Sequence, residues 1–155
     1  MNACEYADSE TGVVFATAPH VGIRYVLPST SEEEKKSIKK YPFINKTNLR
    51  VALKDFKKQK IYIFDIPKGY CYDGASVPRF FWRLIGPNTD NQFLIAALVH
   101  DVLCENHDYI DGDREFSTRV FNLLLKESGV KPVKRFFMKN SVNIFQSLFC
   151  KWENE

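Results

Sequence analysis

The feature that most constrains this chain is one change of period. Between Asn48 and Phe56 apolar residues fall at alternate positions, with Leu49, Val51 and Leu53 set against Arg50, Ala52 and Lys54. After Lys57-Lys58-Gln59 the stretch Lys60–Ile66 (KIYIFDI) returns. Strand side chains alternate between two faces, so this is a β-hairpin. Further on, the spacing becomes three to four. Phe93, Ala96, Ala97, His100 and Cys104 share one face of a helix running from a cap at Asp90 or Asn91 to about Asn106. Asp101 joins Leu94 and Leu98 on the adjoining stripe. A second helix is predicted over Arg114–Glu127, recapped by Asp111-Gly112-Asp113 and stopped by Ser128-Gly129. A third starts near Pro132 and carries Val133, Phe136, Phe137, Val142, Ile144, Phe145, Leu148 and Phe149. Strands come first and helices afterwards, without alternation. That order predicts an α+β fold: N-terminal antiparallel β-hairpins followed by a three-helix C-terminal half, rather than a βαβ arrangement.

Ahead of the hairpin, Thr11–Thr17 and Ile23–Leu27 are rich in β-branched and aromatic residues, and the Pro19-His20-Val21-Gly22 break makes them a strand pair. Glu32–Lys40 (EEEKKSIKK) reads as a short polar helix. Ser31 and Glu34 form a capping box, Glu32 and Lys36 an i,i+4 pair, and Tyr41-Pro42 closes the segment. Such a charge run is a solvated face and is given no function.

At 155 residues the chain is one domain, 1–155, with a β-rich part, 1–59, that carries no motif, and a motif-bearing part, 60–150. A net charge of +3 is too mild to signal nucleic-acid binding. No apolar run reaches the length of a membrane span, and residues 1–20 lack a signal-peptide layout, which points to the cytoplasm of the producing cell. Cys4, Cys71, Cys104 and Cys150 have no metal-finger spacing and read as reduced thiols, a Cys71–Cys104 bridge being the lesser alternative.

Between hairpin and helix lies a glycine-, proline- and aromatic-rich loop, Pro67–Pro87. Gly69 and Gly74 permit turns or close approaches that a side chain blocks. Asp73-Gly74 is an ordinary turn dipeptide, so the plainer reading is a crossing from sheet to helix. The sharper one has Asp73, Ser76 and backbone carbonyls facing His100 and Asp101, an oxygen-rich setting suited to a hard cation. A lone histidine on an apolar helical face is usually a satisfied core residue. Asp101 beside it shifts the balance, because carboxylates are rarely buried without a partner. Arg114 is the candidate partner for Asp101.

The run Pro67-x-Gly69-Tyr70-x-x-Asp73-Gly74-Ala75-Ser76-Val77-Pro78-Arg79, then Trp82, Gly86-Pro87, Ala96-Ala97-x-x-His100-Asp101 and Arg114 with Phe121, resembles a domain-of-unknown-function family widespread in tailed bacteriophages and prophages. The likeness covers roughly residues 60–145. It implies a phage-encoded protein of the host bacterial cytoplasm or the virion, with other virion proteins as partners, and supplies no activity. The layout is also similar to that of secreted phospholipase A2. That likeness implies Asp101, with Asp73, as Ca2+ ligands, Tyr70 to Gly74 as the ion loop and His100 as general base. Gly69, Gly74, Ser76, Arg114 and Thr118 would support the pocket. The carboxylate that orients the histidine in that arrangement falls here on Thr118, which cannot stabilise an imidazolium.

Two function classes follow. One is a calcium-assisted hydrolase of ester-type bonds. The other is a non-catalytic virion component or host-interaction factor in which the same residues form a structural polar knot. Thr118 tilts the reading to the second. Residues 131–151 hold five basic residues and no acid among several phenylalanines, a pattern that can lie on a membrane surface. A packing helix whose rings close the core is the preferred reading.

Overall fold

The computed structural model describes residues 4–72, 91–127, 135, 136 and 140. Strands β1 (Cys4–Ala7), β2 (Thr11–Phe15), β5 (Leu49–Asp55) and β6 (Lys60–Ile66) form an antiparallel sheet in the order β1-β2-β5-β6. A smaller antiparallel sheet holds β3 (Val21–Ile23), β4 (Phe43–Asn45) and β7 (Cys71–Tyr72) in the order β3-β4-β7. Helix α1 (Glu32–Lys40) links β3 to β4, while α2 (Asn91–Glu105), a 3-10 turn (His107–Ile110) and α3 (Arg114–Glu127) follow the strands. The fold is α+β, as the order of periods requires.

The β5–β6 hairpin pairs Leu49 with Ile66 through Asp55 with Lys60, so Leu49, Val51, Leu53, Tyr62, Phe64 and Ile66 all face inward. Gln59 takes a left-handed φ of 54° in its turn. On β2, Val13 and Phe15 add to the same inner face. Each such side chain, once buried, contributes about 1.5–3 kcal/mol relative to exposure.

The partner of β2 differs from expectation. Thr11–Phe15 pairs with β1 and β5, not with the 23–27 stretch, and β3 stops at Ile23 in the other sheet. The turn chemistry decides this. Asp8 Oδ1 accepts the N–H groups of Glu10 and Thr11, both at 2.8 Å, which closes a hairpin back onto Cys4–Ala7. Ser31 caps α1 as expected, accepting Glu34 N–H at 3.1 Å, but Lys35 rather than Lys36 pairs with Glu32. No residue of α1 is buried.

Helix α2 is not the one-sided helix its spacing suggests. Residues Ala96 to Leu103 are all buried, so the helix is enclosed on every side, with α3 and β3 among its neighbours. Asp113 accepts Phe116 N–H at 2.9 Å and starts α3, which packs on α2, β1 and β2. The expected cap at Asp90 and most of the third predicted helix lie outside the described residues. Of that helix, Arg135, Phe136 and Asn140 are helical, and Phe136 is 63% exposed, so its ring does not close the core.

Candidate functional site

His100 and Asp101 sit side by side on α2, about 100° apart around its axis. On an amphipathic helix one of them would face water. Because α2 is enclosed, both are buried, His100 at 0% exposure and Asp101 at 8%. The imidazole meets the ring of Phe121 edge-on, with centroids 5.2 Å apart. Thr118 lies one turn before Phe121 on α3 and is buried with it. Its hydroxyl donates to the Arg114 carbonyl of its own helix at 3.1 Å, and Arg114, half-buried, is the first residue of α3. The structure thus sets His100 against α3 through Phe121, while Thr118 and Arg114 are linked to each other along α3. Asp73, Gly74 and Ser76 lie outside the described residues.

Where the loop departs from the small sheet is nevertheless fixed by Tyr72. Its side chain is buried, its hydroxyl donates to the Leu94 carbonyl at 2.8 Å, and its ring lies 5.5 Å from that of its cross-strand partner Phe43. Burial, and secondarily the nearby charge of Asp101, push the phenol well above its usual range.

Gly69 occupies a different setting, an exposed turn. Tyr70 N–H bonds to the Pro67 carbonyl at 3.1 Å, and Gly69 takes a φ of 92°, the geometry that needs glycine at the third position. Two asparagines pin this turn. Asn48 Oδ1 accepts Lys68 N–H at 2.9 Å, and the buried Asn45 amide donates to the Thr47, Ile66 and Pro67 carbonyls at 2.7, 3.2 and 3.0 Å. The Tyr70 carbonyl accepts Asn45 N–H at 2.8 Å, and Cys71 and Tyr72 pair with Ile44 and Phe43. Of the 70–74 stretch, Tyr70 to Tyr72 are described, and they pair with β4 at the edge of the small sheet. Among the described residues, no group of three His, Cys, Asp or Glu side chains is placed to hold a metal ion. Cys71 and Cys104 are not joined in a disulfide.

A groove of about 370 Å3 runs between β6 and α2, past Phe64, Pro67, Tyr70, Val102, Asn106 and Tyr109. Neither His100 nor Asp101 lines it. On its far wall the Tyr70 hydroxyl donates to Glu105 Oε2 at 2.6 Å.

Spacing gave no hint of a second buried polar centre. Asp55, at the end of β5, accepts Lys57 N–H, Lys58 N–H and the Arg119 guanidinium at 3.1, 3.3 and 3.1 Å on one carboxylate oxygen. Arg119 also donates to Thr11 Oγ1 and Glu115 at 3.3 Å, and its guanidinium lies 5.6 Å from the ring of Phe116. Around it, Lys58 bonds to Asp113 at 2.7 Å and Lys60 to Asp111 at 2.8 Å. These contacts hold the hairpin turn against the start of α3. The only sequence trace is an acid closing a strand, which reads as a turn residue.

A profile of proteins of unknown function, DUF1353, matches residues 49–142, more than half of the chain and all of it from β5 through α3. The chain belongs to the DUF1353 family. The DUF1353 match takes in the hairpin, the unusual loop, the His100-Asp101 pair and Arg119. A protein from Sinorhizobium fredii (strain NBRC 101917 / NGR234), the uncharacterized protein y4jT, is 42% identical over 40 residues, which is 26% of this chain. The chain spans only 12% of that relative's length. No solved structure matches the chain. No helix among the described residues is long and apolar enough to cross a membrane.

Proposed function

We propose that this DUF1353 chain is a phage-encoded, non-catalytic protein, a virion component or host-interaction factor, in which His100 and Asp101 hold two helices together rather than turn over a substrate. The observation that carries this reading is the enclosure of His100. A general base must reach the proton it removes, directly or through one water. The imidazole has no exposed surface and is set against Phe121. Thr118, which stands where an orienting carboxylate is expected, spends its hydroxyl on its own helix. The motif that resembles phage proteins, Asp73 to Pro78 with His100-Asp101, supports the phage origin, and other virion proteins are the partners that origin suggests.

Calcium titration of the purified protein, run beside Asp101→Asn, separates this reading from the hydrolase. The expected result is no stoichiometric uptake and the same melting temperature in calcium and in chelator. Stoichiometric uptake abolished by Asp101→Asn, together with ester hydrolysis lost in His100→Gln, would establish the hydrolase instead. Mass spectrometry of purified particles tests the virion assignment directly.

A further inference from the structure

The stretch Ile23–Leu27 has the composition of a strand, yet β3 ends at Ile23. Local preference and observed structure disagree here, as they do at functional or strained places. The ladder gives the geometry. Lys46 N–H bonds to the His20 carbonyl at 2.8 Å, and Arg24 N–H to the Pro42 carbonyl at 2.7 Å. In an antiparallel pair, residues alternate between bonding the neighbour and pointing away from it. His20, Gly22 and Arg24 therefore use their backbone groups on β4. Val21, Ile23 and Tyr25 direct theirs to the opposite edge, which no described strand covers.

The two faces of this edge are unlike. Val21 is buried and Ile23, on the same face, is 49% exposed; past the end of the strand Tyr25, Val26 and Leu27 are 74%, 54% and 58% exposed. The other face carries two cations, Lys46 and Arg24, beside Ile44, the cross-strand partner of Gly22. The Lys46 stem occupies the space a side chain would take at Gly22, where an added Cβ would lie 2.5 Å from Lys46 Cε. Arg24 follows, its guanidinium bonded to Ser37 Oγ and the Tyr41 carbonyl at 3.1 and 3.0 Å. Between His20 and Lys46 six Lys and Arg residues oppose three Glu, a surplus equal to the +3 of the whole chain. Pairing this edge with itself would set Arg24 and Lys46 against their own copies, so charge disfavours a second copy.

We infer that the β3 edge is a docking site for an extended, acidic segment of another protein, which adds as a fourth strand to the small sheet. Its apolar side chains continue the row of Val21 and Ile23, and its alternate acidic side chains meet Lys46 and Arg24. Main-chain bonds to Ile23 and Tyr25 supply the affinity, and the alternation supplies the selectivity. This goes beyond the reading of His100 and survives its failure, since neither outcome of the calcium titration bears on it.

The test uses a fluorescein-labelled peptide of alternating glutamate and valine, seven residues long, titrated with the full chain at low salt. Saturable binding is expected, at least tenfold tighter than for a lysine–valine counterpart. Ile23→Pro removes an outward N–H together with the exposed isoleucine side chain and leaves the β4 ladder intact, so it should weaken binding tenfold or more with an unchanged circular-dichroism spectrum. Tyr25→Ser should do the same through its exposed ring. Absence of peptide binding, equal binding of the lysine peptide, or full binding by Ile23→Pro overturns the proposal. So does a dimer in sedimentation equilibrium that Ile23→Pro dissolves, because the occupant would then be a second copy.

Discussion

The two buried polar centres of this chain are built on opposite plans. Around Asp55 and Arg119 the ties that join the elements run between distant parts of the chain, from β2 and β5 to α3, and the charges are paired. At His100 and Asp101 the two side chains are neighbours on one helix, enclosed because that helix is buried all round. The first centre is an ionic clasp whose members mean nothing separately. The second is conspicuous as a dipeptide and gains its burial from its helix. Conspicuous chemistry and mechanical importance therefore sit in different places.

If that contrast is right, Arg119→Ala should be the costliest change. The Asp55 side chain is 0% exposed and would be left with its charge buried and unpaired, so a loss of about 3–5 kcal/mol is expected in urea unfolding. His100→Leu keeps volume and removes polarity, and should cost less, about 1–3 kcal/mol. Equal or larger loss at His100 would break the contrast. Tyr72→Phe deletes one hydrogen bond to the Leu94 carbonyl and should lower stability by about 1 kcal/mol. Acid unfolding sharpens the picture at the clasp. Burial pushes the Asp113 carboxyl up, but its bonds to Lys58 and the Phe116 N–H outweigh this and hold it below 3.8. A carboxyl lowered by folding stabilises above its unfolded value, and that support is lost as pH falls from about 4 through the folded value. Asp113→Asn should therefore flatten the stability–pH slope in that window. Smallest of all, Arg50→Ala breaks a fully exposed pair with Asp65 and should leave the melting temperature unchanged.

Much of the fold was legible because it rests on local rules. The hairpin, α1 with its Ser31 cap, and α3 behind Asp113 all carry their period and punctuation in consecutive residues. The choice of partner for β2 was not legible from side-chain pattern, since it turns on Asp8 folding back over two N–H groups. Nor was the enclosure of α2 apparent, because Phe93, Ala96 and His100 can be read as one stripe while Val99, Val102 and Leu103 complete the circle. For the site, the sequence singled out His100 and Asp101, and the structure buries both. Asn45 carried no sequence signal, yet its amide ties the Ile66 and Pro67 carbonyls, 21 and 22 residues further along the chain. A long-range clasp leaves no periodic trace.

The position of β5 between β2 and β6 has an evolutionary corollary. The family match begins at residue 49, with β5, and leaves out β1 and β2, which extend the larger sheet on one side of it. A gene trimmed to that stretch would leave β5 with a raw flank and Arg119 without Thr11. Relatives that lack this amino-terminal portion must roof the same flank with sequence of their own, and variation between family members should concentrate there.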